Sequence, residues 1–170
     1  MQIILGIEDE IKKIILNKKR NFYKLKNKKV FLTGCTGFFG IWILGCFYYA
    51  NKILNLNTRI YCLSRKQKNI SKFKKYFPKN NFKFLIGDIS KFNFRDLKVD
   101  YIIHGATTSA FETYSKIAPI KKYVTIVNGT QNILNFAEKI KCKNFLYLSS
   151  GAVYGLNNKK NKINENYNFS

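Results

Sequence analysis

Lys29-Val30-Phe31-Leu32-Thr33-Gly34-Cys35-Thr36-Gly37-Phe38-Phe39-Gly40 decides how this chain is read. A short apolar run, Lys29–Thr33, stops at a glycine, and a longer apolar segment, Phe38–Lys52, follows the next one. The first reads as a buried strand and the second as a helix. In a strand–turn–helix unit the three glycines have separate duties. Gly34 lets the chain turn sharply after the strand. Gly37 leaves the backbone bare for close approach to a pyrophosphate. Gly40 allows the helix to sit close to the strand. The first helix amides and the helix dipole then favour a phosphate charge. Gly34, Thr36, Gly37, Phe38, Phe39 and Gly40 are therefore the expected dinucleotide contacts, with a purely structural tight turn as the alternative.

Outward from this loop, strand and helix alternate. Strands are expected at Arg59–Leu63, Phe82–Ile86, Tyr101–His104 and Phe145–Ser149, with helices around Ile70–Phe77 and from about Pro119 to Ile140. The pattern predicts an α/β, partial Rossmann fold: a parallel sheet of about five strands with helices on both faces. Upstream, residues 7–20 predict an amphipathic helix that packs on the domain or on a second subunit. Ile7, Ile11, Ile14 and Ile15 share its apolar face, acids occupy its first turn and Lys18-Lys19-Arg20 its last. The expected organisation is a helical extension over 1–27, an incomplete nucleotide-binding domain over 28–156, and a polar, Asn-rich loop over 157–170.

The formal charge is +22, and nineteen Lys/Arg but no Asp or Glu lie between Ile11 and Gly87. Such a balance suggests nucleic acid or anionic lipid. The lysines are scattered, however, and Lys, Asn, Ile, Phe and Tyr are abundant together, as AT-rich coding produces. No aromatic–basic docking motif stands out, so nucleic acid is disfavoured as a partner. Four separated cysteines and one histidine make a metal site improbable and suit reduced thiols in a cytoplasm. The uncharged stretch Gly34–Asn51 contains four glycines and reads as a loop and buried helix, not a membrane span. Glu8-Asp9-Glu10 interrupts any early signal-like run.

Three further strand ends carry candidate chemistry. After the second strand the sequence reads Leu63-Ser64-Arg65-Lys66, without the acid that would accept from both ribose hydroxyls. Ser64 and Arg65 are expected cofactor contacts, and Arg65 with Lys66 favours NADP over NAD, although Arg65 could also stack on adenine. Asp88, in Gly87-Asp88-Ile89, is placed to accept from an adenine amino group while the Ile89 amide meets a ring nitrogen; a turn or cap aspartate is the alternative. His104-Gly105-Ala106 ends the fourth strand. The small residues leave room for a cofactor, and His104 reads as a hydrogen-bonded structural residue rather than a base.

The fifth strand runs into Leu148-Ser149-Ser150-Gly151-Ala152-Val153-Tyr154-Gly155. With Thr33–Gly40, Asp88-Ile89, His104-Gly105-Ala106 and Val127-Asn128-Gly129-Thr130, this order of motifs over roughly 28–167 resembles the extended short-chain dehydrogenase/reductases, the NAD(P)-dependent sugar-nucleotide epimerase/dehydratase family. The resemblance implies roles. Ser150 matches the catalytic serine that hydrogen-bonds the sugar hydroxyl being oxidised. Asn128 matches a helix asparagine that organises active-site backbone. Ser149 and Ala106 line the nicotinamide pocket, and Glu165 is an acid of the substrate-side loop. The implied partner is a nucleotide-sugar, with a homodimer expected for the complete protein.

The family's Tyr-x-x-x-Lys base is missing after Ser150. Tyr48-x-x-x-Lys52 precedes Ser150 on another helix and reads as chance; Tyr167 has no lysine four residues on. The expectation is therefore the cofactor half of a longer enzyme, inactive alone, with the fifth strand left as an unpaired edge. A non-catalytic NAD(P) sensor or interaction module is the alternative.

Overall fold

The computed structural model describes residues 6–74, 76–94, 97–108, 119–154 and 164, without the side chains of 69, 72 and 152. Glu165 and Tyr167 lie outside the described residues. Five strands form one parallel sheet: β1 (Lys29–Thr33), β2 (Arg59–Ser64), β3 (Phe82–Ile86), β4 (Tyr101–His104) and β5 (Asn144–Tyr147), in the order β3-β2-β1-β4-β5. The expected partial Rossmann sheet is present. The chain moves outward from β1 through β3 and then returns to the other flank of β1. Thr33 consequently pairs with Leu63 on one side and His104 on the other. A crevice opens where the order reverses, at the carboxyl ends of the strands.

Strand alternation divides the core into two layers. Val30 and Leu32 of β1 and Ile60 and Cys62 of β2 pack with Leu44 and Phe47 of α3 (Phe38–Leu54). Phe31 and Leu63 point the other way, toward Ile133 and Phe136 of α5 (Pro119–Lys139). The short helix α4 (Gln67–Lys74) joins the α3 layer through Phe73. The β3–β4 crossover has no helix among its described residues. Its phenylalanines anchor it instead: Phe94 stacks on Phe136 with centroids 4.2 Å apart and meets Phe31 edge-on at 5.5 Å.

The amino-terminal helix α1 (Glu8–Asn17) packs on the outer side of α3. Ile11 and Ile15 are fully buried against Tyr49, Ala50 and Leu54, and Ile7 packs at their margin. Gly45 makes the approach possible, since a Cβ there would lie 2.7 Å from Ile11 Cδ1. Two expectations need correction. Ile14 is 45% exposed, because one neighbouring helix covers only the Ile11/Ile15 stripe. The helix also stops at Asn17, with Lys18 in a non-helical conformation, so Lys19 and Arg20 open a separate turn of helix, α2 (Lys19–Tyr23), and do not complement the α1 dipole. Among the described residues no helix is long and apolar enough to cross a membrane, and no three His, Cys, Asp or Glu gather where a metal ion could sit.

Candidate functional site

The Gly-loop, Gly34–Gly37, fills the crevice beside β1. Gly34 has φ +72°, the left-handed region that favours glycine. A Cβ there would lie 2.3 Å from the Gly105 carbonyl oxygen and 2.9 Å from the Ala106 nitrogen. At Gly40 a Cβ would lie 2.2 Å from the Gly34 oxygen and 2.6 Å from the Cys35 Cα. The close approach at Gly40 is therefore to the loop's own backbone. Gly37 differs: its φ is −82° and ψ 177°, and the nearest atom to a Cβ is 3.3 Å away. Gly37 caps α3 without a side-chain hydrogen bond, and the amides of Phe38, Phe39 and Gly40 precede the first intrahelical bond, from Ile41 to the Gly37 carbonyl. Such amides suit an anion.

Gly34, Thr36, Gly37, Ser64, Arg65, Ile89 and Ala106 come together around a cleft of about 230 Å³. The walls also carry hydroxyls that reading by strand ends missed: Thr107 and Thr108 after β4, and Thr125 on α5. The Thr107-Thr108 pair was a visible polar signal, but Thr125 needs the fold. The side chains of Phe38 and Phe39 are 72% and 68% exposed and stack edge-on against each other at 5.3 Å, and neither residue lines the cleft. The Ile89 side chain is buried in the α5 layer. Asp88 does not line the cleft. One of its carboxylate oxygens accepts from the Ser90 amide at 2.9 Å and the Ser90 hydroxyl at 2.7 Å, the geometry of a turn aspartate.

Thr33 ties the strand ends together. Its buried hydroxyl oxygen accepts from the Gly105 and Ala106 amides at 3.2 and 3.1 Å and lies 2.7 Å from His104 Nδ1. With both lone pairs engaged, the hydroxyl has only its proton to offer, so Nδ1 accepts it. That assigns the neutral tautomer with hydrogen on Nε2, which faces the Thr130 hydroxyl at 3.3 Å. Burial pushes the His104 pKa down from 6.5 to about 4. The ring is a structural pin, not a proton carrier near neutrality.

A pH dependence follows. An unfolded chain protonates this histidine below about pH 6.5, but the folded chain resists until about 4. Its contribution to stability is present above pH 6.5 and falls as pH drops toward 4, by up to about 3 kcal/mol. Urea unfolding at pH 7 and 4.5 is expected to show a drop in wild type that His104→Asn reduces. An identical drop in the variant would remove His104 as the cause.

Leu148 donates to the His104 carbonyl at 2.9 Å and extends the β4–β5 pairing to the carboxyl edge, where Ser149 and Ser150 emerge exposed. Ser150 accepts from the Val153 amide at 3.1 Å and opens the single 3-10 turn Gly151–Tyr154. Asn128 is exposed on α5, whereas Asn132, one turn on, donates to the Ile89 and Phe92 carbonyls at 2.7 and 3.1 Å. Asn132 thus holds the backbone after β3, a duty that its place in the sequence did not reveal.

The profile of the NAD dependent epimerase/dehydratase family matches residues 30–169. This chain belongs to that family. Among curated relatives of this family member, a dTDP-D-glucose 4,6-dehydratase of Homo sapiens is 31% identical over 140 residues, which cover 75% of this chain and 37% of the relative. The chain thus spans about two fifths of the length of the relatives it matches. Among solved structures, Pen from Bacillus thuringiensis superposes with a TM-score of 0.63 at 28% identity, covering 77% of this chain and 40% of that one. A dTDP-glucose 4,6-dehydratase from Bacillus anthracis, solved with NAD, shares the fold at 20% identity with a TM-score of 0.63, covering 84% and 44%.

Proposed function

We propose that this family member is the NAD(P)-binding portion of a sugar-nucleotide epimerase/dehydratase that works by hydride transfer at a sugar hydroxyl. The carrying observation is the division of labour among the loop glycines: backbone closes on a Cβ at Gly34 and Gly40 at 2.2–2.3 Å, while Gly37, where the nearest neighbour is the Gly34 oxygen at 3.3 Å, lines the cleft. A bound NAD(P) supplies the hydride acceptor. In this reading the loop amides hold its pyrophosphate, Ser64 and Arg65 meet its adenosine ribose, and the Ile89 amide meets an adenine ring nitrogen, with Asp88 turned to Ser90. Ala106 and Ser149 border the nicotinamide. Ser150 hydrogen-bonds the sugar hydroxyl, Asn128 orders nearby backbone and Glu165 serves the substrate side. Structures named as UDP-glucose 4-epimerase with NAD+ and UDP, and as dTDP-glucose 4,6-dehydratase with NAD, support a nucleotide-sugar partner.

No Tyr-x-x-x-Lys follows Ser150 within these 170 residues, so they bind cofactor without turnover by themselves. Titration calorimetry with NAD+ and NADP+, beside an assay for sugar-nucleotide oxidation, tests this; turnover by the isolated residues would overturn it. Arg65 and Lys66 favour NADP through its 2′-phosphate. Arg65→Asp with Lys66→Ala is expected to weaken NADP+ about tenfold or more, roughly 1.4 kcal/mol, while NAD+ changes little. Equal losses for both cofactors would mean that these side chains do not read the 2′-phosphate.

A homodimer fits the charge pattern. Residues 123–137 and 144–155 carry no charged side chain in a chain with 31 Lys and Arg. Tyr123, Val127 and Leu134 of α5 and Leu146 and Tyr147 of the edge strand β5 are exposed, as on a face that another subunit covers. Four free cysteines suit a cytoplasmic location.

A further inference from the structure

A short turn after β3 forms one wall of the cofactor cleft, and α5 holds that turn from outside. Gly87 and Ile89 are its lining residues. Residues 87–92 fold back on themselves. The Lys91 amide donates to the Asp88 carbonyl at 3.0 Å, and a Cβ at Gly87 would lie 2.5 Å from Phe92 Cδ2. The start of the turn is tied to β2, where the Gly87 amide donates to the Ser64 carbonyl at 3.1 Å. Ile89, two residues on, is held by α5.

Two residues one turn apart on α5 do this. Asn132 donates through Nδ2 to the Ile89 carbonyl at 2.7 Å and to the Phe92 carbonyl at 3.1 Å. An asparagine suits the task, since its two Nδ2 hydrogens can serve two carbonyls at once. Gly129 lies against the Ile89 side chain, where a Cβ would come within 2.7 Å of Cγ2. The Ile89 Cα is thus fixed through its carbonyl and through its side chain. The planar peptide then leaves its amide only φ to turn. The Asp88 turn restrains that rotation from the other side, through the Ser90 amide on Asp88 Oδ1 at 2.9 Å.

We infer that Asn132 is a positioning residue for base recognition: it aims the Ile89 N–H at the ring nitrogen beside the adenine amino group and so gives the cleft a preference for adenine over hypoxanthine. The inference rests on the placement of adenine proposed above. In hypoxanthine that nitrogen carries a hydrogen, so two donors face each other and neither is satisfied.

Calorimetric titration of the 170-residue chain with NAD+ and with nicotinamide hypoxanthine dinucleotide tests this. The parent chain is expected to prefer NAD+ by about tenfold or more. Asn132→Ala is expected to bind NAD+ more weakly and to keep a preference of about twofold or less. Ile133→Val, at the fully buried neighbour on the same helix, is expected to lower stability in urea unfolding and leave the preference intact. Gly129→Ala displaces Ile89 from the other contact and is expected to reduce the preference too; it decides the matter if Asn132→Ala does not fold. A parent chain that binds both dinucleotides equally, or neither, would overturn the adenine placement and this inference with it. A parental preference retained in Asn132→Ala, or in Gly129→Ala where that variant decides, would overturn the inference alone. So would an equal loss of preference in Ile133→Val, which would reduce Asn132 to a general contribution to stability.

Discussion

Gly34→Ala is expected to prevent folding, or to cost at least about 4 kcal/mol, whereas Gly37→Ala, three residues away, folds normally and loses the cofactor. At Gly34 the positive φ alone costs an L-residue about 1–2 kcal/mol. The larger part is steric. The added methyl would sit 2.3 Å from the Gly105 oxygen and 2.5 Å from its carbonyl carbon, and neither can move without parting β1 from β4. At Gly37 the backbone is extended and the nearest atom, the Gly34 oxygen, lies 3.3 Å away and has only a few tenths of an ångström to give, so the loss of stability is expected to stay near about 1 kcal/mol. The methyl does occupy the pyrophosphate approach, and NAD(P) affinity is expected to fall at least about tenfold. Urea unfolding and calorimetric titration of both variants separate the two effects. Parental NAD(P) affinity in Gly37→Ala would remove this loop as the phosphate contact.

Thr33→Val is expected to cost about 2–4 kcal/mol, although it preserves shape and β-branching. The lost hydroxyl serves the Ala106 amide and His104 Nδ1, and shares the Gly105 amide with the Thr33 carbonyl, which keeps it at 3.3 Å. Each buried group left without a partner costs about 1–3 kcal/mol. Thr33→Ser keeps all three bonds and gives up only a methyl, which predicts a loss near 1 kcal/mol. If serine and valine destabilise equally in urea unfolding, the hydroxyl network contributes little. The valine variant is also expected to weaken NAD(P) binding, because Gly105 and Ala106 form part of the cleft wall.

The unit β1, Gly-loop and α3 was legible in the sequence because its constraints are local. A glycine at positive φ follows a short strand, and the helix begins a few residues on. Strand positions were legible for the same reason, since β-branched and aromatic runs bounded by polar turns need no tertiary information. The site network was not. Thr33 and His104 are 71 residues apart, Asn132 and Ile89 are 43 apart, and only the β1–β4 and crossover–α5 contacts bring them together. The misplacement of Ile14 has a similar origin: a 3.6-residue period identifies an apolar face, but the breadth of that face depends on how many neighbours cover it.

The Asn132 carboxamide also bears on the order in which the chain assembles. The crossover after β3 has no helical ladder among its described residues, and the carbonyls of Ile89 and Phe92 are satisfied by a side chain more than 39 positions later. As the chain leaves a ribosome, β1, β2 and their intervening helix can pair early. The crossover must wait until α5 has emerged, bringing both Asn132 and the Phe136 ring on which Phe94 stacks. Until then its phenylalanines have Phe31 of β1 on one side but lack the Phe136 cover on the other. The carboxyl-terminal half of α5 is therefore the piece that closes over the crossover, and a nascent chain stalled before residue 132 would present chaperones with a half-covered aromatic loop.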